Sequence, residues 1–203
     1  MLFGIEGLEI ELLKYIQQVW ASEAMDIYML GISSLANGGF FWILVAIPFL
    51  FTDKYRRTAI LMLVGMLVGL LLGNVFLKNI IARPRPCWID TSHALLLPTP
   101  TDFSCPSGHA LSSFICAFML QRKNKYLGVL AFVVAAIISF SRLYLFVHYP
   151  TDILMALLLA YAIYKLVIII YKKFFRHLHW HLPTGKHHKN RKHSHRHSSS
   201  HRH

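Results

Sequence analysis

Residues 58–77 read TAILMLVGMLVGLLLGNVFL, and residues 78–86 read KNIIARPRP. Twenty uncharged, mostly apolar residues are what an α-helix needs to cross the roughly 30 Å hydrocarbon core of a bilayer. The run stops at a lysine followed by two arginines interleaved with prolines, so a membrane span gives way at once to a cationic, turn-forming stretch.

The same kind of run recurs on both sides. Residues 27–52 are uncharged, with a soft point at Asn37, Gly38 and Gly39. Residues 107–121 form a third run, short and polar at its start; 126–141 form a fourth, and 153–171 a fifth, interrupted only by Lys165. Residues 5–20 differ. Ile5, Leu8, Leu12, Ile16 and Val19 recur at helical spacing with Glu9 and Gln17 between them, which predicts an amphipathic helix too short and too charged to span, lying in the membrane interface. The expected fold is therefore all-α: an integral membrane bundle of about five transmembrane helices plus an N-terminal interfacial helix. A chain of 203 residues that is 55% hydrophobic is too apolar for an ordinary soluble domain and fits this class. Glu6, Glu9 and Glu11 interrupt the start, so no cleavable signal peptide is expected.

Of the formal charge of +12, nine Lys and Arg lie from Lys172 onward with no Asp or Glu, leaving only +3 (12 − 9) for the rest. The basicity belongs to the end of the chain and does not mark the core as a nucleic-acid binder. The chain divides into a membrane-embedded domain, 1–175, and a basic tail, 176–203, expected to be disordered, that carries ten of the thirteen histidines. The tail reads either as a metal-binding segment or as a polybasic one drawn to anionic lipid, and the lack of a uniform histidine run favours the second. Lys54, Arg56 and Arg57, then Arg122, Lys123 and Lys125, then the tail, fall on one side of the bundle, which the positive-inside rule makes cytoplasmic. Loops 78–106 and 143–149 then face outward. Lys78, Arg83, Arg85 and Arg142 go against the rule there, and phosphate binding is a reason for it.

Three strings carry the chemistry: KNIIARPRP, CPSGH (105–109) and SRLYLFVHYPTD (141–152). Lys78, Arg85 and Arg142 are cations suited to phosphate oxygens. Pro106-Ser107-Gly108-His109 opens a helix whose free N–H groups and positive dipole end favour an anion, and Gly108 lets backbone come close to it. His148 and Asp152 stand four positions apart across Pro150, close enough for the carboxylate to hold one ring nitrogen protonated and leave the other free to attack. Taken singly, each feature has a plainer reading: snorkelling anchors, a turn and cap, a capping Asp beside an interfacial His. Together they are an inventory for phosphoryl transfer through histidine. No cluster of Asp and Glu stands ready for magnesium, so the three cations would neutralise the phosphate themselves. Which histidine attacks stays open on spacing alone, though Asp152 favours His148. Arg83, outside the pattern, is either an anchor or a supporting residue.

The pattern Lys-x6-Arg-Pro, Pro-Ser-Gly-His and Ser-Arg-x5-His-x3-Asp resembles that of the type 2 phosphatidic acid phosphatase superfamily, with all eleven specified positions filled. The resemblance implies His148 as a nucleophile forming a phosphohistidine, Asp152 as its orienting carboxylate and His109 as the general acid. It implies Lys78, Arg85, Ser107, Gly108 and Arg142 as phosphate ligands, with no metal and no cofactor. It further implies a lipid phosphate or pyrophosphate substrate, undecaprenyl pyrophosphate first and phosphatidic acid or phosphatidylglycerol phosphate second. The site would open on the extracytoplasmic face of a multi-pass cell-membrane protein of a bacterial envelope, with the tail cytoplasmic. From a different class, a non-enzymatic membrane protein with a metal-binding tail is the alternative. Cys87 and Cys105 bracket the outward loop, either as a disulfide or as two free thiols, and Cys116 reads as a core residue.

Overall fold

The computed structural model describes residues 4–92 and 94–178. These residues fold into helices, with no strand among them. Helix α1 (Glu6–Trp20) is followed by α2 (Glu23–Leu35) and α3 (Phe40–Leu50), joined through a 3-10 turn at Asn37–Gly39. Next come α4 (Arg56–Gly69), a π-helical stretch Leu70–Leu77, and the short α5 (Lys78–Ile81) and α6 (Pro86–Ile89). The bundle closes with α7 (Gly108–Lys123), α8 (Lys125–Tyr144) and α9 (Pro150–Leu178). The tail assigned to 176–203 lies, from 179 on, outside the described residues.

Local chemistry explains the joints. Ser22 caps α2 by accepting from the Met25 N–H at 3.2 Å. At the soft point, Gly38 and Gly39 take left-handed φ values of 58° and 75°, which only glycine adopts without strain. The result is a bend of 49° between α2 and the Asn37–Leu50 segment. Asn124 caps α8 through the N–H groups of Tyr126 and Leu127. Gly128 in its first turn backs directly onto Gln121.

The core centres on α7, which packs against α4, α8 and α9. Ala110, Leu111, Ile115, Cys116 and Ala117 are all buried there. Along α4 and the π stretch, Gly65, Gly69 and Gly73 face α7. A Cβ at the first two would lie 2.7 Å from Ile115, and one at the third 2.3 Å from Leu111. Four-residue spacing of small residues is how membrane helices bring their backbones close. Large apolar side chains such as Leu67, Phe76, Val133, Leu158 and Ile169 point outward, the reverse of a soluble protein and right for contact with lipid.

Three segments, Arg56–Ile89, Lys125–Tyr144 and Pro150–Phe174, are long and apolar enough to cross a membrane, or four if the bent α2–α3 pair is one span. The third run forms α7, which has 16 residues, about 24 Å at 1.5 Å per residue, and is buried at the centre of the bundle. Residues Glu6–Trp20 form helix α1, but its burial does not follow the expected apolar stripe. Of the apolar stripe only Ile16 is buried; Ile5, Leu8, Leu12 and Val19 are exposed, while Glu6 and Glu9 are buried. The acidic side of α1 faces the protein.

A second, smaller core lies at the end of the bundle that carries the motifs. It joins Leu13 and Ile16 of α1 to Met29, Cys87 and the loop residues Leu145, Phe146, Val147 and Tyr149. Both non-glycine residues with positive φ, Ala82 (45°) and Phe146 (59°), flank this end. Such backbone persists only where the surroundings hold it, often beside working groups.

Candidate active site

The structure brings the motif residues together. Lys78 stands at the start of α5, Arg85 at the turn into α6, and Ser107, Gly108 and His109 at the start of α7. Arg142 lies in the last turn of α8, and His148 just before α9, whose first turn holds Asp152. Lys78, Arg85, Gly108, His109, Arg142 and His148 line one cavity of 630 Å³. Ser33, Asn37, Asn74 and Asp102 also line it, and apolar wall comes from Leu30 and Ile43 on the α2–α3 side and from Leu63, Met66 and Leu70 on the α4 side. Ser107 and Asp152 are fully buried beside it.

Arg85 organises the centre. Its Nη1 donates to the Val147 carbonyl at 2.7 Å and stands 3.2 Å from His148 Nε2. A guanidinium can only donate, so Nε2 faces it with a lone pair and the imidazole proton belongs on Nδ1. Nδ1 lies 3.4 Å from Asp152 Oδ2, near the carboxylate but longer than a good hydrogen bond. His148 is 2% exposed. Burial above all, with the charges of Arg85 and Arg142, holds its imidazole well below the ordinary histidine range, against the opposing pull of Asp152.

Asp152 serves two ends. Its Oδ2 accepts the Tyr149 N–H at 2.9 Å, so it caps the entry to α9 as well as facing His148. The same oxygen accepts the Ser104 hydroxyl. At the α7 start, Gly108 lies against Asn74 of the π stretch, where a Cβ would come within 2.8 Å of the amide oxygen. Ser107 is the N-cap residue but makes no capping bond, and its buried hydroxyl has no partner within the protein. His109 Nε2 stands 2.9 Å from Asn37 Oδ1 and 3.2 Å from the Ser33 carbonyl, which puts its proton on Nε2. Arg142 donates to the Ser33 hydroxyl. The bend after α2 thus carries polar groups to both.

Several partners are absent from the motif. Asp102 accepts from Lys78 Nζ at 2.5 Å and from Arg85 Nη2 at 2.7 Å, and its carbonyl accepts from Arg85 Nε at 2.7 Å. Burial alone would raise this carboxyl, but Lys78 and Arg85 overcome that and hold it at about 2. Two of the three cations are therefore already neutralised by the protein. Arg83, 2% exposed, is no snorkelling anchor: it holds Asp152, Thr151 and Glu9. A clue lay in the sequence, where Asp90 and Asp102 are the sole acids of the stretch 78–106 that carries Lys78, Arg83 and Arg85. Cys87, Cys105 and Cys116 are buried free thiols, so the bracketing bridge is not formed. Among the described residues, no group of three or more His, Cys, Asp or Glu could hold a metal ion.

A family model described as the PAP2 superfamily matches residues 58–176. An undecaprenyl-diphosphatase of Sulfolobus acidocaldarius is 31% identical over 156 residues, 75% of this chain and 73% of that one. Phosphatidylglycerophosphatase B of Bacillus subtilis is 32% identical over 165 residues, 75% of this chain and 76% of that one. Among solved structures, the Bacillus subtilis transmembrane PAP2-type phosphatidylglycerolphosphate phosphatase is similar with a TM-score of 0.68 at 25% identity, over 84% of this chain and 88% of its own. LpxE of Aquifex aeolicus shares the fold, with a TM-score of 0.69 at 23% identity over 79% and 94%. These relatives leave no ground for the non-enzymatic reading. With a complete motif, its residues gathered at one cavity, and a family match over more than half its length, the chain belongs to the PAP2 superfamily, among its membrane lipid phosphatases.

Proposed function

We propose that the chain hydrolyses a lipid diphosphate, undecaprenyl diphosphate before others, through a phosphohistidine on His148 and without a metal ion. The observation that carries this reading is His148 itself: buried, neutral, with Nε2 toward Arg85 in the cavity and Nδ1 toward Asp152. An incoming phosphate takes the Arg85 donor as its own ligand, and the Nε2 lone pair is released to attack phosphorus. Lys78, Arg142, the Ser107 hydroxyl and the free N–H groups of α7 take the remaining oxygens and the charge that builds there. His109, as the imidazolium that the bound phosphate's negative charge favours, protonates the departing oxygen and becomes neutral; it then takes a proton from the water that splits the N–P bond and regenerates His148. Asp152 keeps the imidazole in the attacking tautomer and stabilises its positive charge.

The apolar walls suit a lipid whose phosphate enters the polar end while its chain stays among Leu30, Ile43, Leu63 and Leu70. The loop charges orient this end outward and the tail toward the cytoplasm, with the exposed stripe of α1 lying in lipid. The second reading is phosphatidylglycerophosphate, favoured by the matched length and identity of phosphatidylglycerophosphatase B.

The deciding experiment is phosphate release from undecaprenyl diphosphate, phosphatidylglycerophosphate and phosphatidic acid, each in detergent with excess EDTA. Preferred turnover of the diphosphate with chelator present supports the proposal. Preference for either monoester transfers it to the second reading. A strict need for added magnesium or zinc would contradict the mechanism.

A further inference from the structure

We propose that Glu9 and Arg83 are positioning residues of this reaction: α1, through Glu9, fixes Arg83, and Arg83 fixes Asp152 in the orientation from which it serves His148. The inference rests on the mechanism above, with His148 as nucleophile.

Asp152 has no exposed surface. Two donors converge on Oδ2, the Ser104 hydroxyl and the Tyr149 N–H, and His148 Nδ1 lies 3.4 Å from it. Arg83 Nη1, at 2.7 Å, takes Oδ1. Where Oδ2 points is therefore set by what holds Oδ1, and the 3.4 Å to His148 leaves little room for carboxylate rotation.

Arg83 is fixed in turn from the far side. Its Nη1 also donates to Thr151 Oγ1 at 2.7 Å, its Nη2 donates to Glu9 Oε2 at 2.6 Å, and its guanidinium lies over the Tyr149 ring at 3.9 Å. The second oxygen of Glu9 accepts the Thr151 N–H at 2.9 Å and the Thr151 hydroxyl at 2.7 Å. Thr151 Oγ1 thus accepts a hydrogen bond from Arg83 and donates one to Glu9, so its hydroxyl has one orientation. An N–H in the first turn of a helix has no partner within that helix. Glu9 supplies one for α9 from 142 positions away. One carboxylate on α1 pins both the arginine and the turn that bears Asp152.

Charge points the same way. The groups facing His148 are Asp152 on α9, Arg85 before α6, Arg142 on α8 and His109 on α7. Asp152 faces Arg83, His148 and the Cys105 thiol, and Arg83 faces Glu6, Glu9 and Tyr149. In a buried chain of alternating sign, removing one member alters the potential at the next. Loss of the Arg83 charge leaves His148 in a more negative field and makes it easier to protonate. Loss of the Glu9 charge does the opposite.

The test uses the full-length protein in detergent, with R83K, R83Q and E9Q compared for kcat, KM, the pH profile of kcat and thermal unfolding. None of these side chains lines the cavity, so KM should stay near wild type while kcat falls, by about tenfold to a hundredfold for R83K, which keeps the charge but loses the fork. The acid limb should stay in place for R83K, move to higher pH for R83Q and move to lower pH for E9Q. Should R83Q fail to fold, R83K and E9Q carry the comparison. Wild-type kcat and an unmoved acid limb in folded R83K and E9Q would overturn the inference. So would loss confined to KM or to thermal stability. A wild-type enzyme that turns over but yields no acid-labile phosphohistidine would instead strike the mechanism beneath it.

Discussion

The Asp102 carboxylate stands 2.5 Å from the Lys78 ammonium. With its other oxygen on Arg85 at 2.7 Å, it occupies donors that the proposed mechanism gives to the substrate phosphate. Substrate therefore enters by exchange, one anion displacing another. Because this carboxyl is held at about 2, the competition persists at every pH where the enzyme would work. An internal competitor lowers apparent affinity by the fraction of time it holds the site. D102N should bind orthophosphate and orthovanadate about three- to tenfold more tightly, read as lower inhibition constants. An unchanged or higher constant would mean that Asp102 shapes the site for phosphate rather than competing with it.

His148→Ala should lower kcat by roughly 10⁴ or more while the protein still folds and inserts. Asp152→Asn should cost less, because it disturbs orientation and tautomer but leaves the attacking nitrogen. Single-turnover assays with quenching for covalent phosphate measure both. A reversed order of severity would place the chemical role on Asp152.

Burial of a neutral His148 has a consequence for stability. The folded imidazole resists a proton that the unfolded one accepts near 6.5, so below that value the unfolded chain binds more protons. Stability is full above the unfolded value and declines as pH falls toward the depressed folded value. Thermal unfolding in detergent from pH 8 to pH 5 should show a steeper loss for wild type than for H148Q. Parallel curves would show that the imidazole takes no part.

Gly38 and Gly39 separate backbone strain from crowding. Both have left-handed φ, but a Cβ at Gly38 meets nothing within 4 Å, whereas one at Gly39 lies 2.3 Å from the Met66 methyl. G38A should cost about 1–2 kcal/mol for the backbone alone, and G39A more, seen as a lower unfolding midpoint. Equal losses would show that Met66 moves aside freely.

The motif was legible because phosphate chemistry fixes both residue type and spacing. Lys78, Arg85, Gly108, His109, Arg142 and His148 do line one cavity. The break at Asn37-Gly38-Gly39 was legible from glycine alone. What joins these pieces was not. Glu9 meets Arg83 across 74 positions, and Lys78 meets Asp102 across 24. Nothing in a sequence says which carboxylate finds which cation. The spacing in α1 did not say that Glu6 and Glu9 turn inward, toward the buried Arg83. Helix α7 reads like a span by hydropathy, yet its 16 residues and its burial come from being packed on three sides.

Gly65, Gly69 and Gly73 act as a machining tolerance. Lys78 follows the π stretch that contains Gly73, and the Leu111 N–H is bonded at 2.9 Å to the Ser107 carbonyl. A methyl at 73 would press on Leu111, and so work as a wedge within about one turn of both sides of the phosphate cradle. Stabilising libraries built by enlarging small residues would here tend to enrich sturdy, slow enzymes.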